Sequence, residues 1–138
     1  MSREIIFRGK SEVTNEWVYG SLVKVGNESH IVGFDEVDLD GHHLSYCSDR
    51  PIFTKQGTIG QFTGLYDKNG TDIYEGDIVL QQGYHGNKQP MVVKFECGAF
   101  IVGYHKRSST KTTPMLLNSK CEVIGNLFDN PELLEDKK

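Results

Sequence analysis

Apolar and polar residues alternate along short segments of this chain, and residues typical of turns separate these segments. Alternation with a period of two is typical of β-strands that bury one face. The pattern predicts a first strand at residues 5–7, with Ile5 and Phe7 on one face and Arg8 turned outward. It also predicts a hairpin over residues 17–34 and a short edge strand over residues 42–47.

The segment at residues 57–79 has the strongest hairpin signal. Asn69-Gly70 lies between alternating flanks, and both residues tolerate positive φ. Two registers are open to this hairpin. A two-residue turn would place Asp67 opposite Asp72, and facing like charges are destabilising.

A three-residue loop removes the clash between these carboxylates. In that register Asp67 caps a type I turn, Gly70 adopts the left-handed conformation and Leu65 pairs with Ile73. We therefore predict the three-residue loop for this hairpin.

Residues 91–104 predict another hairpin. With a two-residue turn at Cys97-Gly98, the facing pairs are Phe95 with Phe100, Val93 with Val102, and Met91 with Tyr104. This register places the large apolar residues on one side and Lys94 and Glu96 on the other. A slip of one residue would expose the apolar set, so the register is well specified.

The C-terminal part of the chain predicts a last strand at residues 121–128 and a short helix, with Asn130 as cap and Pro131 at the first helical position. The fold class is mostly β: antiparallel sheets forming a small barrel-like core, with a short C-terminal helix. We expect a single domain over residues 1–138. Its lobes could be an N-terminal β lobe (1–56), a barrel-like lobe (57–129) and a helical tail (130–138).

Several motifs follow one another along the chain: REIIFRGK at residues 3–10, EWVYG at 16–20, GQFTGL at 60–65, DKNG at 67–70, IYEGDIV at 73–79 and EVIGNLFDNPELL at 122–134. In this order they resemble the YopX family of phage and prophage proteins. Residues 27–55 and 82–90 follow no pattern of the family. The resemblance implies a small, mostly β protein encoded by a bacteriophage, and it implies no particular activity.

Length, composition and charge limit the class of protein and the compartment to expect. A chain of 138 residues can bury one core. No apolar run approaches the roughly 20 residues of a membrane helix, and Met1-Ser-Arg-Glu lacks the apolar centre of a signal peptide, so no membrane association is expected. The three cysteines, at 47, 97 and 121, fit free thiols in a reducing cytoplasm. A net charge of −4 argues against general coating of nucleic acid.

The acidic turns raise the question of a metal site. Asp67, Asp72, Glu75 and Asp77 lie close in sequence, but Thr71 breaks the ligand spacing of a calcium loop. We favour turn capping for these carboxylates and expect no metal and no cofactor. A metal-dependent enzyme built on Asp67, Glu75 and Asp77 stays open as an alternative.

The cysteines and histidines give no stronger chemical signal. There is no Cys-x-x-Cys pair for zinc. Cys97 with His105 downstream lacks the third group and the elbow of a catalytic nucleophile. We therefore expect that the protein is not an enzyme.

One cationic stretch could contact nucleic acid through Tyr104, Lys106, Arg107 and Lys111. The acidic charge of the whole chain favours a solvated loop instead. We expect a cytoplasmic, non-catalytic binding module with a protein partner or self-association, and keep nucleic-acid binding as the alternative. Because sheets display function at their turns, the predicted binding residues are Gln61, Thr63, Asp67, Asp72 and Glu75.

Overall fold

A computed structural model describes residues 4–39, 42–47, 52–82, 88–103 and 115–134, with backbone alone for 33–39, 42–47 and 115. These residues form antiparallel β-structure, as predicted. The strands are β1 (Phe7–Lys10), β2 (Trp17–Val25), β3 (Glu28–Leu39), β4 (His42–Cys47), β5 (Gly60–Tyr66), β6 (Asp72–Tyr74), β7 (Asp77–Gln82), β8 (Lys88–Glu96), β9 (Ala99–Gly103), β10 (Met115–Leu116) and β11 (Glu122–Asn126). A 3₁₀ turn follows at Pro131–Leu134.

The chain divides into two compact units, Met1–Gln61 and Phe62–Lys138. In the first unit the strands follow the order β4-β3-β2-β1, and the beginning of β5 pairs with β1. The hairpin predicted over residues 17–34 is confirmed by the pairing of β2 with β3, and β4 is the predicted edge strand. Among the described residues, no helix has the length and apolar character needed to cross a membrane.

The segment at residues 52–55 fastens β1 to β3 in the first unit. The Ile52 amide donates to the Ile31 carbonyl at 2.7 Å, and the Lys55 amide donates to the Lys10 carbonyl at 2.8 Å. Between these contacts the buried Thr54 hydroxyl donates to the Ile52 carbonyl at 2.7 Å and accepts from the Ile31 amide at 3.2 Å. A short irregular segment is thereby hydrogen-bonded almost like a strand.

A buried histidine completes this part of the first unit. His30 Nδ1 accepts a hydrogen bond from the Thr54 amide at 3.1 Å, so the other ring nitrogen carries the proton in the neutral tautomer. That nitrogen, Nε2, lies 3.1 Å from a carboxylate oxygen of Glu28. The Phe53 ring covers the imidazole edge-on at 5.3 Å between centroids. His30 is therefore a structural residue.

The predicted orientation of Arg8 is wrong. The strand begins at Phe7, Ile5 is exposed, and the Arg8 side chain is buried. Its guanidinium lies 4.5 Å from the centre of the Trp17 ring, and the Lys10 ammonium lies 5.3 Å from the same ring. Alternation alone assigned Arg8 to solvent, but an aromatic face can bury a cation through its quadrupole.

The second unit contains a five-stranded antiparallel sheet in the order β10-β9-β8-β7-β11, together with the β5–β6 hairpin. One face of this sheet carries the core of the unit. Its buried members are Ile73, Val79, Met91, Val93, Val102, Leu117 and Cys121. Burial of each large apolar side chain contributes about 1.5–3 kcal/mol before chain entropy is subtracted.

The hairpin of β8 and β9 has the predicted register. Phe95 pairs with Phe100, and Val93 pairs with Val102. The two phenylalanine rings meet edge-on with centroids 5.0 Å apart, although Phe95 is 51% exposed. The predicted partner of Met91, residue 104, lies outside the described residues.

The expectation that this hairpin buries one side alone is wrong. Val92 and Ile101 lie on the opposite side and are also buried. The C-terminal turn covers part of that face, because a Cβ at Gly125 would lie 2.9 Å from Leu133 Cδ1 and Gly125 pairs with Ile78. Both faces of the sheet are therefore covered where these strands cross its centre.

The short C-terminal helix is confirmed as one 3₁₀ turn, but its cap differs from the prediction. The Asn130 carbonyl accepts from the Leu133 amide at 3.1 Å, whereas its side-chain oxygen accepts from the Asn126 amide at 3.2 Å. The barrel-like core is not a closed barrel. Among the described residues, β10 and β11 stay at opposite ends of the second sheet.

Candidate functional site

The loop at residues 67–71 is organised around Asp67, which is only 5% exposed. Its Oδ1 atom accepts hydrogen bonds from the amides of Asn69 and Thr71, both at 2.8 Å. Its carbonyl accepts from the Gly70 amide at 3.0 Å, and its own amide donates to the Thr71 carbonyl at 2.9 Å. Gly70 has a φ of 82°. This is the predicted loop, in which one carboxylate substitutes for a strand partner.

Strand pairing agrees with the predicted loop, because Tyr66 pairs with Asp72. The predicted pair of Leu65 with Ile73 is wrong, since the register of the two strands shifts directly before Tyr66. Asp67 therefore does not face Asp72. The loop avoids the repulsion between two carboxylates that a two-residue turn would have imposed.

A bulge that the sequence did not predict interrupts β5. The pairs Phe62–Tyr74 and Tyr66–Asp72 are separated by four positions on β5 and by two on β6. Gly64, with a φ of 84°, lies in this excess stretch. The Thr63 hydroxyl donates to the Ile73 carbonyl at 2.8 Å and accepts from the Leu65 amide at 3.1 Å. Thr63 thus bonds backbone groups where the regular ladder is broken.

Asp67 also fastens the hairpin to β11. Its Oδ2 atom accepts a hydrogen bond from the Val123 amide at 3.0 Å. The neighbouring Lys68 amide donates to the Cys121 carbonyl at 3.0 Å, and its ammonium lies 3.4 Å from the Glu122 carboxylate. The last contact is exposed and contributes little, so the backbone contacts hold the two elements together.

The charge of Asp67 follows from these contacts. Burial disfavours a carboxylate and by itself would raise the pKa, but the donating amides of Val123, Thr71 and Asn69 outweigh it. Together they hold the pKa of Asp67 below its ordinary value. Asp67 is thus a charged structural acceptor and is poorly suited to give up or take a proton at neutral pH.

In the turn at residues 74–77, another of the predicted acids, Asp77, is used for an internal hydrogen bond. An Asp77 carboxylate oxygen accepts from the Tyr74 amide at 2.8 Å, and Asp77 is buried. Gly76 donates its amide to the Val93 carbonyl at 2.9 Å and accepts from the Leu127 amide at 2.8 Å. The motif at residues 73–79 is accounted for by these bonds, which join the turn to β8 and to the segment after β11.

Residues on both sides of the loop at 68–71 are exposed, as the loop itself is. Leu65 is 38% exposed and Tyr66 is 49% exposed, and Asp72 faces Tyr66 across the strands. We call Leu65, Tyr66 and Asp72 the hairpin surface. The Tyr66 ring packs on the buried Phe62 ring with centroids 5.7 Å apart, so it has a fixed support.

The predicted binding residues therefore separate into different environments. Thr63 and Asp67 are buried and bonded within the fold, whereas Asp72 is exposed and Glu75 is half-buried. Gln61 is half-buried and belongs to the first unit. The residues predicted to contact nucleic acid, Tyr104, Lys106, Arg107 and Lys111, lie outside the described residues, as does His105.

Two groups of residues were not predicted from the sequence. The exposed pair Leu65 and Tyr66 read as ordinary strand positions, because alternation does not reveal which face is covered. The stacking of Arg8 and Lys10 on Trp17 could have been inferred from the pairing of β1 with β2, which sets Lys10 opposite Trp17. In the part of the chain that is described, His, Cys, Asp and Glu side chains form no group of three that could hold a metal ion.

Comparison with known proteins gives the chain a family. A solved structure, protein EF1440 from Enterococcus faecalis, is similar with a TM-score of 0.60 and 26% sequence identity, over 97% of this chain and 100% of that one. No curated protein matches the sequence. The family model described as YopX protein matches residues 6–135. The chain therefore belongs to the YopX family.

Proposed function

We propose that this chain is a non-catalytic accessory protein of a bacteriophage or prophage, which binds a protein partner in the cytoplasm of the bacterial host. The observation that carries the proposal is that the β5–β6 hairpin uses some side chains for internal hydrogen bonds and leaves others exposed. Its buried polar groups hold the loop rigid, while Leu65, Tyr66 and Asp72 remain exposed on it. A rigid support with an exposed aromatic side chain is a common basis for protein recognition.

The acids of the hairpin and of the turn that follows it support a non-catalytic role. Both carboxylate oxygens of Asp67 accept hydrogen bonds from backbone amides, and Asp77 accepts from the Tyr74 amide. A general base or a metal ligand needs lone pairs directed at substrate or ion. In this hairpin the lone pairs of Asp67 are directed at the protein's own backbone.

The composition of the hairpin surface favours a protein as the partner. Tyr66 offers a large ring at a low cost in side-chain entropy, and Leu65, next to it in sequence, is a second exposed apolar side chain. Asp72 adds a negative charge, which would repel phosphates and would attract a cationic group on a protein. We therefore propose that the partner contacts the apolar side chains of Leu65 and Tyr66 and has a cationic group near Asp72.

The test is affinity capture from lysate of the host bacterium, with and without nuclease. The informative variant is the double substitution Leu65→Ser with Tyr66→Ser. The matched control is Phe95→Ser with Leu116→Ser, because both of those side chains are also exposed and apolar in the second unit. We expect one defined host or phage protein to be captured by the wild type and the control and lost by the hairpin variant.

Each other result removes the proposal. Capture that is equal for both double variants would place the contact elsewhere on the chain. Capture that disappears with nuclease would favour nucleic-acid binding by residues 104–111. Metal-dependent turnover abolished by Glu75→Gln would favour the enzyme built on Asp67, Glu75 and Asp77.

A further inference from the structure

The β5–β6 loop contains a reactive pair that the proposed function does not use. Asn69 is followed by Gly70, and the other asparagines of the chain are followed by larger residues. Both residues of the pair are exposed. We propose that Asn69 is a site of spontaneous deamidation and that Asp67 restrains the reaction in the folded chain.

The chemistry requires only the chain and water. The Gly70 amide nitrogen loses its proton to solvent base and attacks the side-chain Cγ of Asn69. The bond from Cγ to the side-chain nitrogen Nδ2 breaks, this nitrogen takes up a proton from water and leaves as ammonia, and a five-membered imide remains. Water then opens the imide at either carbonyl, which gives aspartate or isoaspartate at position 69. Glycine favours the attack because it has no Cβ to hinder the approach.

The folded loop opposes this attack. The Gly70 amide donates to the Asp67 carbonyl at 3.0 Å, and the flanking amides of Asn69 and Thr71 both donate to Asp67 Oδ1 at 2.8 Å. Bringing the Gly70 nitrogen against Cγ rotates the peptide between residues 69 and 70. That rotation removes the first of these bonds and strains the other two, so the reaction proceeds from an opened loop.

The product would not fit the loop. Isoaspartate inserts one extra carbon into the main chain between residues 69 and 70. The amides at 69, 70 and 71 then no longer meet the two acceptors of Asp67 together. Since Asp67 also accepts from the Val123 amide, deamidation loosens the attachment of the hairpin to β11 as well as the loop itself. Deamidation of Asn69 thus weakens the hairpin progressively as the protein molecule ages.

The test follows deamidation by mass spectrometry of the peptide that contains residue 69, in mildly alkaline buffer with the thiols kept reduced. The peptide map separates this product from isomerisation at Asp40-Gly41. Four samples are compared: the folded wild type, the wild type unfolded in urea, folded Asp67→Asn, and folded Asn69→Gln as the matched control. The unfolding transition of each variant is measured first.

We expect the folded wild type to react about tenfold more slowly than the unfolded chain, and folded Asp67→Asn about fivefold faster than the folded wild type. The control should give no product at this position. Equal rates in the folded and unfolded chains would overturn the proposal, as would an Asp67→Asn rate equal to that of the wild type. If Asp67→Asn does not fold, wild type in urea below its transition replaces it, and a rate there that does not rise with urea overturns the proposal.

Discussion

At the scale of the residue, Asp67 is the side chain on which the β5–β6 loop depends. We predict that Asp67→Asn lowers the free energy of unfolding by about 1–3 kcal/mol, because the amide nitrogen of asparagine cannot accept a hydrogen bond. One of the donors on the two carboxylate oxygens, Val123 or the pair Asn69 and Thr71, then faces another donor. Urea unfolding at neutral pH measures the loss.

The control for this prediction is Asp72→Asn, which removes the same charge from an exposed position of the same hairpin. It should change the free energy of unfolding by no more than about 0.5 kcal/mol. Equal losses for the two variants would show that charge, and not the hydrogen bonds of Asp67, sets the stability of the loop.

The lowered pKa of Asp67 gives a second prediction, on pH. A carboxyl group whose pKa is lower in the folded chain contributes stability above its unfolded pKa of about 3.8, and this contribution is lost as the pH falls through the folded value. The difference in stability between wild type and Asp67→Asn should therefore be complete at neutral pH and shrink as the pH falls below about 4. Urea unfolding from neutral to acidic pH tests this, and a constant difference would contradict it.

At the scale of the element, the turn of the β8–β9 hairpin has a residue unsuited to its conformation. Cys97 has a φ of 52° and Gly98 a φ of 80°, so both central residues lie in the left-handed region. Asparagine tolerates this region better than cysteine does, and Asn-Gly is a preferred sequence for such a turn. We predict that Cys97→Asn raises the free energy of unfolding by about 0.5 kcal/mol. Cys97→Val should lower it, because a branched Cβ is disfavoured there.

Thermal and urea unfolding of the two Cys97 variants decide this point. The side chain is exposed, so neither substitution changes packing in the core. If valine proved as stable as asparagine, backbone conformation at position 97 would not limit the stability of the hairpin.

The elements also show which features of the structure can be predicted from the sequence. Turn chemistry and alternation were sufficient for the Phe95–Phe100 register and for the loop capped by Asp67, because both depend on contacts close along the chain. The bulge at Gly64 and the burial of Arg8 were missed. Each depends on a neighbour distant in sequence or on a covered face, which local patterns do not contain.

At the scale of the whole molecule, the family and the mostly β fold could be recognised from motif order, but the candidate surface could not. Asp72, Thr63 and Asp67 were all predicted to bind a partner, yet Asp72 is exposed at the start of β6 whereas Thr63 and Asp67 are buried within the fold. Polar residues at turns serve either solvent-facing recognition or internal capping, and sequence alone does not separate these uses. Burial in the folded chain does.

Cysteine reactivity reports on the same whole-molecule packing. Cys97 is exposed and Cys121 is buried in the core of the second unit. Burial raises the pKa of the Cys121 thiol, and the charges of Asp67 and Asp77 raise it further, so little thiolate is present and little reagent reaches it. In a chain carrying Cys47→Ser, we predict that a disulfide reagent labels Cys97 at once and Cys121 only when the second unit unfolds.

The rate at Cys121 should then rise with urea in parallel with the equilibrium population of the unfolded chain. Asp67→Asn supplies the decisive comparison, because it destabilises the contact of the hairpin with the segment next to Cys121. It also removes one of the charges that raise the pKa of the thiol in the folded chain, but labelling takes place from the unfolded chain, where that charge no longer lies beside the thiol. We expect faster labelling of Cys121 in that variant, by a factor that matches its loss of stability, and unchanged labelling of Cys97. Labelling of Cys121 as fast as Cys97 in native buffer would mean that this core opens locally and that Asp67 does not hold it closed.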